Sequence, residues 1–377
     1  MEDKKIRVAI THGDTNGVGY ELIFKTFADP EMLELCTPVV YGSPKIATYH
    51  RKALDMQANF SIINDAEEAR DGRVNMLPCF DEEIKVDMGT PTKESALAAV
   101  TALKSAAADF GRDVYDVVVM CPTSTAAISD GQVSYGGQDE YFAARIGSNK
   151  GLRILVSGAM RIASATGSAN VKEVASLLTK ETLVEKVQTM KTSLQRDFAL
   201  SAPRVALLAL NYNGGGAEEA DVIRPVAEDY AGKDMSVFGP YSANTFFGAG
   251  QYRAFDAIMA MHADQASIPF NTLTTDDGLC FIAGLPLVVT LPSHGPRYEA
   301  AGAGTTSEQA FRQAIYTAID AFRNRALYDE ANANPLPKIY HEKREEGERQ
   351  PRFVPAKERF ATPPKDKGET SQAKDAR

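Results

Sequence analysis

The sequence predicts an α/β fold, an α/β/α sandwich built around a mostly parallel sheet. Short, near-continuous apolar runs rich in β-branched residues recur along the chain, as strands covered on both faces require. Between them lie stretches with apolar residues at i, i+3 and i+4 and good helix formers. The two kinds of segment alternate, and parallel strands joined by right-handed helical crossovers are what such alternation builds.

In chain order, strands are expected over residues 7–10, 38–41, 117–120, 153–156, 205–208 and 285–289. A helix is expected to begin near Gly19, and others to span 96–110, 171–178, 182–194 and 307–323. The α/β region runs from about 5 to 330. From Lys338 to Arg377 the chain holds 11 Lys or Arg, 8 Asp or Glu and few large apolar side chains, so a disordered charged tail is expected over 338–377.

Charge and composition exclude several classes of function. The 377 residues carry 41 basic and 50 acidic side chains, net −9, which argues against nucleic acid or an anionic membrane as partner. Cys36, Cys79, Cys121 and Cys280 form no CxxC pair, so neither a disulfide framework nor a thiolate zinc site is expected. No stretch approaches 18 apolar residues, and the expectation is a cytoplasmic protein.

Five segments hold the candidate chemistry. Thr11 to Glu21 places His12, Asp14 and three glycines between a strand and a helix, with the spacing GxxxGxG rather than GxGxxG or GxxxxGK[ST]. A ligand loop and a plain packed turn both fit it. Gly136 to Tyr141 brings Gln138, Asp139 and Glu140 to a helix start, where acidic residues also serve capping. Asn211 to Gly216 sets three consecutive glycines after a strand, a costly arrangement that favours backbone contact with a ligand. His262 and Asp264 follow an apolar segment, and His294 follows another. No GxSxG or HExxH exists, so these residues alone define no reaction.

Taken in this order, the segments resemble the 4-hydroxythreonine-4-phosphate dehydrogenase family of pyridoxal phosphate biosynthesis. The marks are Ile10-Thr11-His12-Gly13-Asp14 with Gly17-Val18-Gly19-Tyr20-Glu21, then Phe238 to Ala243, Phe246-Phe247-Gly248, Phe255-Asp256-Ala257 to Asp264-Gln265, Ala283 to Pro286, and His294-Gly295 with Ala301-Gly302. The resemblance implies a two-lobed, isopropylmalate dehydrogenase-like fold and a homodimer with a cleft near its interface. It also implies NAD-dependent oxidation and decarboxylation of 4-phosphohydroxy-L-threonine, assisted by a divalent metal on three histidines.

The residues depart from that pattern where the chemistry lies. The three ligand histidines of the family align with Ala159 in Ser157-Gly158-Ala159, with Asn213, and with Ala263 beside a displaced His262. No metal is therefore expected at that position. In the substrate cleft, which the alignment assigns to Asp14, Gln138, Asp139, Asn213, Asn271, Cys280 and Val289, the usual lysine is Asn271, the usual asparagine Cys280 and the usual arginine Val289. Asp139 stands where it would repel phosphate, and Thr125 replaces another lysine. Asp264 and His294 remain as catalytic candidates. Three outcomes fit: loss or alteration of the family activity, an oxidoreductase on a changed substrate with a carboxylate metal site (Asp139, Asp264, Asp276 or Asp277) or none, and a non-catalytic binding or regulatory paralogue. The ligand expected is a small phosphorylated or nucleotide molecule.

Overall fold

The computed structural model describes residues 5–80, 84–124, 128, 135–148, 151–230 and 235–334. Thr125 and the charged tail from Lys338 lie outside the described residues. Twelve strands form one sheet: β1 (Ile6–Thr11), β2 (Cys36–Gly42), β3 (Phe60–Ile62), β4 (Val74–Pro78), β5 (Val117–Met120), β6 (Leu152–Ser157), β7 (Met160–Ser164), β8 (Arg204–Leu208), β9 (Ser236–Tyr241), β10 (Ala257–Ala260), β11 (Leu279–Ala283) and β12 (Val288–Pro292), in spatial order 3-4-2-1-5-12-11-6-7-10-8-9. Ladders toward both ends are parallel, while β12-β11-β6-β7 is joined by three antiparallel ones.

The helices are α1 (Gly19–Phe27), α2 (Pro30–Leu35), α3 (Pro44–Ala53), α4 (Lys93–Ala108), α5 (Gln138–Arg145), α6 (Val171–Leu177), α7 (Lys180–Arg196), α8 (Arg224–Asp229), α9 (Ala243–Gly248), α10 (Ala263–Leu273) and α11 (Gln309–Asn332). Their starts are encoded locally: Asp29, Ser43, Thr92 and Thr179 each accept a backbone N–H from the following turn. Alternate residues of one strand feed different cores. In β5, Val117 and Val119 join the cluster with α1, α7 and α11, whereas Val118 and Met120 join the cluster with α4 and α5. This is the sandwich the alternating runs predict.

The expected strand over 285–289 is displaced. Gly284, at φ 81°, turns the chain, and β12 begins only at Val288, past Pro286. A separate strand, β11, precedes the turn. A proline cannot donate to a ladder, so the apolar run is divided between a turn and a strand. A buried ion pair ties the two halves of the chain together: Arg325 Nε on α11 lies 2.5 Å from Asp197 Oδ1 after α7, and Arg325 Nη1 donates to the Leu285 and Pro286 carbonyls.

Candidate functional site

A cavity of about 740 Å³ lies over one face of the antiparallel centre of the sheet. Its floor is made by alternate residues of three strands, Arg153 and Leu155 of β6, Ile162 and Ser164 of β7, and Cys280 and Ile282 of β11. Residues of α5 and α10 form walls, and Thr166 to Ala169, with Thr182 and Lys186 of α7, close one end. The helices that wall it are short: α5 has eight residues and α10 eleven.

Of the cleft residues expected from the sequence, Asp139, Asn271 and Cys280 line this cavity, as does Ala263. Asp139 does not stand alone. Its buried carboxylate accepts from Arg153 Nε at 3.2 Å and, more closely, from Nη2. Burial works against the charge on Arg153, but Asp139 opposite more than offsets it and holds the guanidinium protonated. The carboxylate expected to oppose phosphate is thus found paired with the Arg153 guanidinium. The Cys280 thiol is pushed up to about 12 by burial, so it remains protonated in the cavity floor.

The other expected residues lie elsewhere. Asp14 is buried and accepts from Asn16 N (2.8 Å), Ser95 Oγ (3.2 Å) and Tyr298 Oη (2.8 Å). Gln138 donates from Nε2 to the Cys121 carbonyl at 3.1 Å. Val289 is fully buried in the apolar cluster with Val118 and Met120. Asn213 is exposed, in a loop closed by bonds from Asn211 N and Nδ2 to Glu219. Burial raises the Glu219 pKa, but these bonds outweigh it and leave the carboxyl below its usual range. Asp264 is exposed at the start of α10. His294 Nδ1 lies 2.8 Å from the Gly295 carbonyl, which can only accept, so that nitrogen carries the proton. Burial lowers the His294 pKa, and Nε2 is buried with no hydrogen-bond partner among the described residues.

The glycines after β1 serve packing. A Cβ at Gly17 would sit 2.8 Å from Pro296, and one at Gly13, where φ is 75°, 2.5 Å from the Pro122 carbonyl oxygen. Residues 12 to 24 are all buried, so the loop is a closed joint between β1, α1 and the segment after β12.

The strand register corrects one alignment. β7 runs parallel to β10 with Ile162 opposite Ile258 and Ser164 opposite Ala260. Ala159 therefore lies before the amino end of β7, while Ala263 follows the carboxyl end of β10. Five residues of strand, about 16 Å at ~3.3 Å each, separate Ala159 from the level of Ser164. Ala159 cannot converge with Asn213 and Ala263. The stretch leaving the carboxyl end of β7 is Thr166-Gly167-Ser168, which holds the Thr-Gly pair and borders the cavity. The positions that follow the carboxyl ends of the adjacent strands β7, β8 and β10 are thus Ser168, Asn213 and Ala263. One hydroxyl, one amide and one methyl do not fit a divalent metal. Among the described residues no group of three or more His, Cys, Asp or Glu is placed to hold one, and this includes the expected carboxylate site of Asp139, Asp264, Asp276 and Asp277. Instead, Asp277 accepts from Ser157 Oγ at 3.0 Å.

Sequence reasoning missed Arg153, Ser168 and Lys186. The charge at the start of the apolar run 153–156 was the available signal for Arg153, and Thr166-Gly167 after a strand was the signal for Ser168. Nothing in the spacing of α7 marks Lys186. No helix among the described residues is long and apolar enough to cross a membrane.

Comparison with known proteins closes the description. The family profile described as pyridoxal phosphate biosynthetic protein PdxA matches residues 34–318. A 4-hydroxythreonine-4-phosphate dehydrogenase of Bacteroides thetaiotaomicron is 46% identical over 355 residues, covering 93% of this chain and 98% of that protein. The enzyme of that name from Geobacter metallireducens is 31% identical, covering 86% and 97%. Among solved structures, a 4-hydroxythreonine-4-phosphate dehydrogenase from Klebsiella pneumoniae matches with a TM-score of 0.70 at 21% identity, covering 85% of this chain and 99% of that one. One from Burkholderia phymatum matches with a TM-score of 0.66 at 24% identity, covering 85% and 99%. At such identities these two likenesses speak for the fold.

Proposed function

The chain belongs to the PdxA family of pyridoxal phosphate biosynthetic proteins, and from that premise we propose that it has kept the family's scaffold and cleft without the metal-dependent dehydrogenation. On this reading it binds a small molecule in the cavity over β6, β7 and β11. One observation carries the proposal: the residues that follow the carboxyl ends of the adjacent parallel strands β7, β8 and β10 include Ser168, Asn213 and Ala263 where the family pattern has its ligands. A metal in the family reaction would act as a Lewis acid on the reacting oxygen. Among the described residues no group of imidazoles or carboxylates is placed there to fix one.

The rest of the site supports the same reading. The lysine and arginine expected for phosphate binding are Asn271 and Val289, and Val289 is sealed in the core. Asp264 faces solvent at the helix start, away from any hydrogen-bonded relay. The cavity itself is a well-formed concave site with few charges, the usual form of a small-molecule pocket.

The test is direct. Purified protein is assayed for bound metal by elemental analysis and for NAD reduction with 4-phosphohydroxy-L-threonine, with added zinc, magnesium or manganese. The expected result is substoichiometric metal and no turnover above the uncatalysed rate. One metal per chain together with steady-state NADH formation overturns the proposal. Titration of NAD alone by calorimetry establishes whether the nicotinamide partner has been kept.

A further inference from the structure

The cavity wall carries its own anion. Asp139 presents both carboxylate oxygens to Nε and Nη2 of Arg153, the side-on fork with which a guanidinium holds a carboxylate or phosphate ligand. Arg153 keeps 39% of its side chain exposed, while that of Asp139 is 7% exposed. The guanidinium is therefore reachable from the cavity, but its best anion-binding face is occupied from behind. The pair is fitted tightly against backbone: a Cβ on Gly137 would lie 2.6 Å from Asp139 Oδ1 and 2.7 Å from Arg153 Nη2. The backbone of Gly137 is extended, so its dihedrals suit any residue, and a side chain there would press on the ends of the paired side chains.

We infer that Asp139 is a specificity-determining residue that occupies the anion-binding face of Arg153, so that the cavity takes small hydroxylated molecules and rejects phosphorylated ones. The inference rests on the proposed role of the cavity as the ligand site. A phosphate reaching Arg153 must displace Asp139, which leaves a buried carboxylate unpaired, or must approach with that carboxylate facing it. Neither is compatible with tight binding. Of the remaining lining, Ser168, Ser267, Thr182 and Asn271 offer both donors and acceptors without charge, and a further carboxylate, Glu140, which accepts from Gly136 N, also disfavours an anion. Lys186, at the α7 end, has its nearest carboxylate, Glu185, at 3.8 Å and is a single cation. It does not replace the two-point grip of a guanidinium on a dianion.

The probe is inorganic phosphate, titrated calorimetrically at fixed ionic strength into the full-length protein. Wild type is expected to show no saturation in the low millimolar range. Asp139→Asn removes the competing charge and frees the fork, and phosphate is expected to bind at least ~10-fold tighter. The double variant Asp139→Asn with Arg153→Gln is expected to return to wild-type behaviour. Asp139→Ser, which cannot overpack, serves if the asparagine variant does not fold, and circular dichroism checks both. A folded Asp139 variant that binds phosphate no better than wild type overturns the inference. So does wild-type phosphate binding that Arg153→Gln abolishes. No metal, nicotinamide or dehydrogenase substrate enters this measurement. Turnover would therefore refute the loss of activity without altering the phosphate result, and failure of the Asp139 variants would leave the metal argument intact.

Discussion

Restoring three imidazoles at the strand-end positions is expected to restore metal binding, and the strand register says which three. Ser168, Asn213 and Ala263 follow the carboxyl ends of β7, β8 and β10, whereas Ala159 precedes β7. A tetrahedral zinc site needs nitrogens at ~2.0–2.1 Å from the ion. The ~16 Å of strand between Ala159 and the level of Ser164 exceeds what an imidazole spans. The triple variant S168H/N213H/A263H is therefore expected to bind zinc at least ~100-fold more tightly than the control A159H/N213H/A263H, since lost second-shell partners alone commonly change affinity ~10–100-fold. Competition with a chromophoric chelator at pH 7.5 measures both. Binding by the first variant should weaken below pH ~6.5, as the new imidazoles protonate. Equal affinity of the two variants refutes the reasoning, because it means that the parallel pairing of β7 with β10 does not decide which side chains meet.

Three further outcomes follow from the fold. Asp197→Ala leaves the buried Arg325 guanidinium with only carbonyl partners and is expected to cost ~3–5 kcal/mol in urea unfolding, while Asp197→Ala with Arg325→Met recovers most of the loss. Gly17→Ala drives a methyl to 2.8 Å from Pro296 and is expected to lower stability by ~1–3 kcal/mol, with no comparable loss for Gly248→Ala in α9, where nothing lies within 4 Å and φ is not positive. His12 is wholly buried and its pKa is lowered to about 4, chiefly by burial and then by His50. The folded value lies below the unfolded one, so the contribution of neutral His12 is present above pH ~6.5 and is lost progressively as pH falls toward 4, at up to ~1.4 kcal/mol per unit. The urea midpoint of wild type is expected to fall across that window, and a folded His12→Gln variant to fall less steeply.

How much the sequence reveals depends on what each residue answers to. The strand over 117–120 matches β5 to the residue, and 205–208 matches β8 within one, because short, wholly apolar runs, Val-Val-Val-Met and Val-Ala-Leu-Leu, suit strands buried on both faces. The short strands β3 and β4 have no such run. Each is interrupted by a polar residue, Ser61 in β3 and Asn75 in β4, and the Asn75 Nδ2 is spent on the Pro38, Arg70 and Arg73 carbonyls. Helix α11 continues nine residues beyond the expected end at 323, since its last turns carry polar residues that weaken the period without stopping the helix. The site was partly legible: Asp139, Asn271, Cys280 and Ala263 meet on one cavity. The Asp139–Arg153 pair was not, because the partners are fourteen residues apart on different elements. Ser168 was hidden behind Ser157-Gly158-Ala159, a second small-residue turn after a strand whose edge of the sheet only pairing can assign.

The same distinction bears on the proposed parting of scaffold and chemistry in this chain. Each glycine of the β1–α1 joint is held by a neighbour that a methyl would strike: Gly13 by Pro122, Gly17 by Pro296, and Gly19 by the His12 carbonyl oxygen 2.0 Å from where its Cβ would be. Replacement there costs folding, whatever the protein does. Ser168, Asn213 and Ala263 carry no such constraint, being exposed or at the cavity rim, so an imidazole could leave each of them without leaving a hole in the core. On the proposed reading, the first set is fixed by the need to fold, and the second is free to differ because the proposed ligand role requires no metal. The Asp139–Arg153 pair bears on the choice between decay and a new role. Random loss of a phosphate site would leave Arg153 unpaired or replaced, whereas here a buried carboxylate with both oxygens engaged has taken its ligand face, with Gly137 clearing the space. A cavity refitted in this way is more readily understood as selecting a different ligand than as having lost one.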